Sequence, residues 1–371
     1  MRSGRFWSRG SLWALVVFLG GCSGGGSSVS TPSGPPPSGA VLYVATGGAG
    51  GISAYSIDGG TGTLTAVAGS PFAAPASFSG SLAASSSLVF AADGLSSTFA
   101  ALRIDPVTGA LSAVSGSPFH TGGGALSAMA VDPQGRFLYA PDSGTNIQVF
   151  AIAQGMPTPI TGSPFFFPGV HGDAIAIHPS GKFLYTINDN GNAVTIFQVS
   201  SSTGAVSNPT SSPPTGTGSD ALALDPSGQF AYVPNRDSFD VSAYTINTQT
   251  GALIAVNGSP FPLGGSPHAI VVTPSGRFAY IARDADNLVS GFAIDSGTGA
   301  LTPVPGSPFA TPQGPVALSV DPSGNFLYVA NDAVNNVGAF RIDSRSGSLT
   351  AIAGSPFPTG QSPSQMLSLV P

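Results

Sequence analysis

His268, Asp220 and Arg283 are side chains whose types combine into general-base chemistry. An imidazole can take a proton from water near neutral pH, a carboxylate can orient that imidazole, and a guanidinium can meet the anion that develops. Asp173, Asn188, Asn235 and Asn331 join them as ligand-binding candidates, because they stand at recurring points of an internal repeat, and Arg236 joins them as a candidate second cation. Other chemistry finds little support. His120 and His171 stand singly, without metal-ligand spacing, and His178 takes the place of a turn aspartate. Asp142-Ser143-Gly144-Thr145-Asn146 and Asp189-Asn190-Gly191-Asn192 resemble calcium loops but lack the bidentate Glu that closes an EF-hand. Neither a metal nor a cofactor is expected. The Asn and Asp candidates also have a structural reading, since these residues make Asx-turns in loops.

Candidates so far apart in the chain meet only if a repeat brings their segments together. Ala317 to Gly360 reads as four short apolar runs separated by turn signals, which is one antiparallel sheet. Gly-Ser-Pro-Phe closes such units at Gly69, Gly116, Gly162, Gly258, Gly306 and Gly354, with a degenerate Ser-Ser-Pro-Pro at Ser211. The intervals of 46 to 49 residues give seven units, the signature of a propeller or solenoid. Asp-Pro-x-Gly at Asp132, Asp225 and Asp321 predicts a type I turn between the first two strands. The second strand carries an aromatic at Tyr43, Phe90, Tyr139, Tyr185, Tyr232, Tyr280 and Tyr328. The third and fourth strands join through Thr-Gly or Ser-Gly in most units.

The two ends complete the count. Ala40-Val41-Leu42-Tyr43 matches a second strand, and Gln365 to Pro371 aligns with the first strand at Val316 to Pro322. One blade is therefore expected to form from both termini, closing a ring and leaving no long unpaired edge. The expected fold is all-β, a seven-bladed β-propeller of four-stranded antiparallel blades over residues 40–371. Small residues in the first strands suit a crowded central channel, and the Gly-Ser-Pro-Phe phenylalanines are expected to pack between blades. The loops after the second strand and before the next first strand then share the face around the channel mouth. Three residues after the second-strand aromatic come Thr46, Asp93, Asp142, Asn188, Asn235, Arg283 and Asn331. At the starts of the first strands come Gly80, Ser127, Asp173, Asp220, His268, Val316 and Gln365. Polarity concentrates where Asp173 meets Asn188, Asp220 meets Asn235, and His268 meets Arg283. That arc is the predicted site for an unidentified small molecule or protein partner.

Composition limits the partners. Charged residues are only 8% of the chain, Glu is absent and Lys182 is the sole lysine, while Gly and Pro abound, so helices are disfavoured. The net charge of −6 leaves no electrostatic footprint for nucleic acid. Residues 1–21 hold basic Arg2, Arg5 and Arg9 and the apolar run Leu12 to Leu19, which is too short to span a bilayer and reads as an export signal. Cys22 is the only cysteine, so no disulfide framework exists. Leu19-Gly20-Gly21-Cys22 resembles the lipobox of bacterial lipoproteins, which implies lipidation of Cys22 and a membrane anchor. Ser23, in place of an inner-membrane retention Asp, favours the outer membrane of the cell envelope. Residues 22–39, rich in Ser, Gly and Pro, form the tether.

A family resemblance rests on the last full unit. Tyr328-Val329-Ala330-Asn331, then Val337 to Asp343, then Ser346-Gly347-Ser348-Leu349-Thr350 resemble the lactonase-family propellers, of which the propeller-type 6-phosphogluconolactonase is typical, and the related YVTN-repeat proteins. The pattern recurs across residues 40–371. The resemblance implies the propeller fold and, as an activity, hydrolysis of a lactone, with His268, Asp220 and Arg283 as the working residues. One departure bears on that activity. The family's Arg-His pair entering the first strand is replaced here by Asp173-Ala174, Asp220-Ala221, His268-Ala269 and Val316-Ala317. A non-catalytic or weakly catalytic binding propeller is therefore the first expectation and lactone hydrolysis the second.

Overall fold

A computed structural model of the chain describes residues 39–47, 51–74, 81–126, 128–143, 145–167, 174–188 and 192–371. The export signal, Cys22 and its tether lie outside the described residues, as do Asp173 and His171.

Seven antiparallel sheets follow one another along the chain, and each blade runs from its first strand at the centre outward. The first strands of successive blades lie side by side around the axis. The first blade is built from both termini: Pro363–Leu369 pairs with Val41–Thr46, with Tyr43 opposite Leu367 and Val41 opposite Leu369. This is the ring closure that the terminal sequences predict. Second strands such as Phe230–Asn235, Phe278–Arg283 and Phe326–Asn331 are buried along their whole length, because sheets cover both of their faces.

The turn chemistry behaves as its residue types require. Gly135, Gly228 and Gly324 donate to the carbonyls of Asp132, Asp225 and Asp321, closing the tight turn between the first two strands. The Asp carboxylates then accept the N–H of Phe137, Phe230 and Phe326 at 2.8, 2.6 and 2.7 Å, which fixes where each second strand begins.

Gly-Ser-Pro-Phe differs from the expectation that it ends the fourth strand. The fourth strand stops earlier, as at Leu253–Ala255, and the motif turns the chain back. Its phenylalanine then pairs with the outer part of the third strand, Phe261 with Val241 and Phe309 with Val289. The serine hydroxyl accepts the third-strand N–H that this detour would leave unpaired, Ser259 from Ala243 at 2.9 Å and Ser307 from Gly291 at 3.0 Å. In the fourth blade the motif is degenerate, and a longer strand, Val206–Ser211, follows the third strand instead.

Blades are joined by a contact that local sequence does not display. The second-strand tyrosine donates to the carbonyl of the Gly in the next blade's Thr-Gly or Ser-Gly turn. Among the described residues five such bonds form: Tyr43 to Gly109, Tyr185 to Gly251, Tyr232 to Gly299, Tyr280 to Gly347 and Tyr328 to Gly62. The last of them crosses the ring closure. Gly is required at these turns. Gly251 has φ +77, and a Cβ there would lie 2.6 Å from the Phe183 ring of the preceding blade.

Candidate functional site

The ends of the second strands and the starts of the first strands meet on one face, since the two are antiparallel neighbours; Ala269 lies opposite Ala282. His268 stands at this channel mouth, immediately before the innermost strand Ala269–Val272, and its N–H donates to the carbonyl of Ala282. The imidazole is partly buried, and its ring nitrogens hydrogen-bond to no described residue. Its electrostatic surroundings are Asp284 of its own blade, Asp220 and Arg236 of the blade before and Asp332 of the blade after. Burial pushes the His268 pKa below the ordinary histidine value, and the carboxylates beside it offset this only in part. The ring is therefore neutral near pH 7, the form in which a base works.

The acids around it are not equivalent. Asp220 is ion-paired with Arg236. Burial works against the charge of Arg236, but Asp220 and Asp237 outweigh it and hold the guanidinium pKa above its ordinary value. Asp332 opens a short 3₁₀ turn, Asp332–Val334, and burial raises its carboxyl pKa while His268 pulls it down. Asp284 has one oxygen that is buried and makes no hydrogen bond to a described residue. Three carboxylates against one guanidinium give the mouth an acidic balance. Among the described residues no three His, Cys, Asp or Glu side chains are grouped to hold a metal ion.

The ring of residues three after the aromatic has a different task. Arg283 is buried and faces into its own blade, donating to Asp286 at 2.6 and 2.9 Å and to the Gly264 carbonyl at 2.8 Å. Asn235 accepts from Ser219 at 2.7 Å and donates to Asp240 and Ser242. Asn331 accepts from Thr311 and donates to Asn336. These side chains brace the hairpin between the second and third strands, and none of them is among the charges around His268. Asn188 ends its second strand, Phe183–Asn188, at the same point in the repeat.

Sequence reasoning missed Asp284 and Asp332, each one residue beyond the ring it selected. The available signal was the period of two along a strand, which sends consecutive side chains to opposite sides. With Asn235, Arg283 and Asn331 directed into the blades, Arg236, Asp284 and Asp332 are left to the mouth. A separate groove of about 400 Å³ lies on the opposite face, between the fifth and sixth blades.

Comparison with known proteins agrees with this architecture. Residues 158–264 and 255–365 match the family described as Lactonase, 7-bladed beta-propeller. A Bacteroides uniformis protein provisionally assigned as a 6-phosphogluconolactonase superposes with a TM-score of 0.76 at 19% identity, over 89% of this chain and 99% of that one. The periplasmic gluconolactonase of Pseudomonas aeruginosa gives 0.74 at 21% identity, over 90% of this chain and all of its own, 100%. At such identities the likeness concerns the fold. No curated protein matches the chain. The family match covers more than half of the sequence and falls on blades whose strand order, turns and closure are those of a seven-bladed ring, so this chain belongs to the lactonase family of seven-bladed β-propellers.

Proposed function

We propose that this chain is an exported, Cys22-anchored lactonase-family propeller that takes a small neutral lactone at the channel mouth, with His268 as its general base. One observation supports this above the others: a neutral imidazole, free of hydrogen bonds to described residues, stands among Asp220, Asp284, Asp332 and Arg236. In this reading a water loses its proton to His268 while its oxygen bonds to the lactone carbonyl carbon. Arg236 faces the oxyanion, the ring C–O bond breaks, and the proton held on His268 passes to the departing oxygen to give the open hydroxy acid. The acidic balance disfavours a phosphorylated substrate and suits an uncharged one.

A second reading, ligand or partner binding without turnover, draws support from the engagement of Arg236 with Asp220 and of Arg283 with Asp286. Lactone hydrolysis by the purified full chain, against phosphorylated and unphosphorylated lactones, separates the two. The expected result is turnover of unphosphorylated lactones that falls about 100-fold or more in His268→Ala. The rate should rise with pH and level off below about pH 6.5, because the folded imidazole titrates below its ordinary value. Turnover unchanged in His268→Ala removes His268 from the chemistry. No turnover on any lactone leaves the binding reading, which calorimetry with the same lactones then tests.

A further inference from the structure

The chain enters the propeller on the face opposite the channel mouth. The Ala40 carbonyl accepts the N–H of Ile57, where a third strand ends, and Val41 opens the second strand Val41–Thr46, whose far end lies at the mouth. That strand of six residues separates its two ends by about 17 Å. The segment that leads back to Cys22 therefore leaves from the entry face and not from the mouth.

Two exposed apolar side chains flank the entry point. Val370, 52% exposed, follows Leu369, which lies opposite Val41. Val107, 61% exposed, sits in the turn whose Gly109 packs against Val41. Charge divides between the faces as well. Eight lysine and arginine side chains belong to the described residues, and six of them stand on the entry face: Arg103, Arg136, Lys182, Arg277, Arg341 and Arg345. Arg136, Lys182 and Arg277 immediately precede second strands, Arg103 and Arg341 lie opposite the starts of others, and Arg345 is in the turn after a third strand. Seven aspartates share that face, three of them (Asp132, Asp225 and Asp321) buried in turns, so its balance is close to neutral. The mouth face has eight described aspartates and only two cations, Arg236 and Arg283, which are paired with Asp220 and Asp286.

We propose that the entry face is the membrane-facing surface of the anchored protein, resting on lipid headgroups with Val107 and Val370 at the point of contact, and that the channel mouth opens away from the bilayer. This rests on the anchoring at Cys22 proposed above. An anionic bilayer attracts the cations of the entry face and repels the acidic mouth, so charge and tether select the same orientation.

The test is tryptophan quenching in the lipidated full chain, purified from bacterial membranes and placed in vesicles of phosphatidylethanolamine and phosphatidylglycerol with brominated acyl chains. Trp7 and Trp13 both precede Cys22, so an introduced tryptophan is the only reporter once residues 1–21 are removed. Val107→Trp and Val370→Trp should each lose most of their emission relative to unbrominated vesicles. Leu95→Trp and Val334→Trp, at exposed positions of hairpins on the mouth side, should keep theirs. Mass spectrometry of the same samples reads the acylation of Cys22. Emission lost at Leu95 or Val334, or kept at all four positions, with Cys22 acylated overturns the proposal and leaves the anchoring intact. An unacylated Cys22 removes the anchor, and this proposal with it. A dimer in sedimentation, with the Val107→Trp emission shielded before any vesicle is added, assigns the face to a second copy and also overturns it.

Discussion

His178 occupies the turn position that Asp132, Asp225 and Asp321 fill in other blades, and it does their work with a ring. Its Nδ1 accepts the Ser180 N–H at 3.0 Å, so its Nε2 carries the proton and donates to the Gly228 carbonyl of the next blade at 2.9 Å. The Nδ1 contact requires the neutral ring, and burial lowers the pKa by more than the bond to the Gly228 carbonyl raises it. The unfolded chain then binds the proton more readily than the folded one. Stability is therefore full above about pH 6.5 and is lost as pH falls below that value. His268, also lowered by burial, acts with the same sign. Thermal unfolding should give a Tm that drops between pH 7 and pH 5. His178→Asp should flatten that slope and His178→Asp with His268→Ala should flatten it further; an unchanged slope in the double variant refutes the assignment. At this scale sequence reasoning selected His268, Asp220 and Arg236, which stand close together, and passed over Asp284 and Asp332 beside them. Spacing locates a loop, but which of two consecutive residues faces the channel depends on the register of the strand before it.

Between elements, the tyrosine–glycine bond predicts unequal costs for one substitution. Tyr328→Phe removes the 2.8 Å bond to Gly62 and leaves a buried carbonyl unpaired, at a cost of about 1–2 kcal/mol. Tyr139→Phe should be close to neutral, since the Tyr139 hydroxyl is buried and already without a partner among the described residues. Urea midpoints for the two variants check this, and equal losses would show that the hydroxyls contribute through something other than these bonds. Gly251→Ala should be worse than either. It places a Cβ 2.6 Å from the Phe183 ring at φ +77, so the left-handed penalty of about 1–2 kcal/mol adds to the displacement of a buried aromatic. None of these pairings could be read locally, because donor and acceptor lie on different blades, 66 residues apart for Tyr185 and Gly251.

For the molecule as a whole, the repeat and its closure were legible because turn residues and aromatics keep fixed offsets, and because Gln365 to Pro371 repeats a first strand. The small Phe261 and Phe309 pairings were not, since a two-residue strand after a proline has no periodicity to read. The closure also carries the largest consequence. Ending the chain after Ser362 removes Met366, Leu367 and Leu369, all buried, worth about 1.5–3 kcal/mol each and so roughly 5–9 kcal/mol together. Typical domain stability is only about 5–15 kcal/mol, and the cut also bares the edge of Val41–Thr46 to pairing with other chains. The truncated chain should lose its cooperative melting transition and elute as aggregate. Position in sequence is not what matters, however. Leu369 lies opposite Val41, so placing residues 363–371 ahead of Ala40 through a short linker rebuilds the same hairpin from the other side. That permutant should elute as the parent does and melt within a few degrees of it. A truncated chain that keeps the parental Tm, or a permutant that aggregates like the truncation, would show that the ring is held shut by something other than this strand.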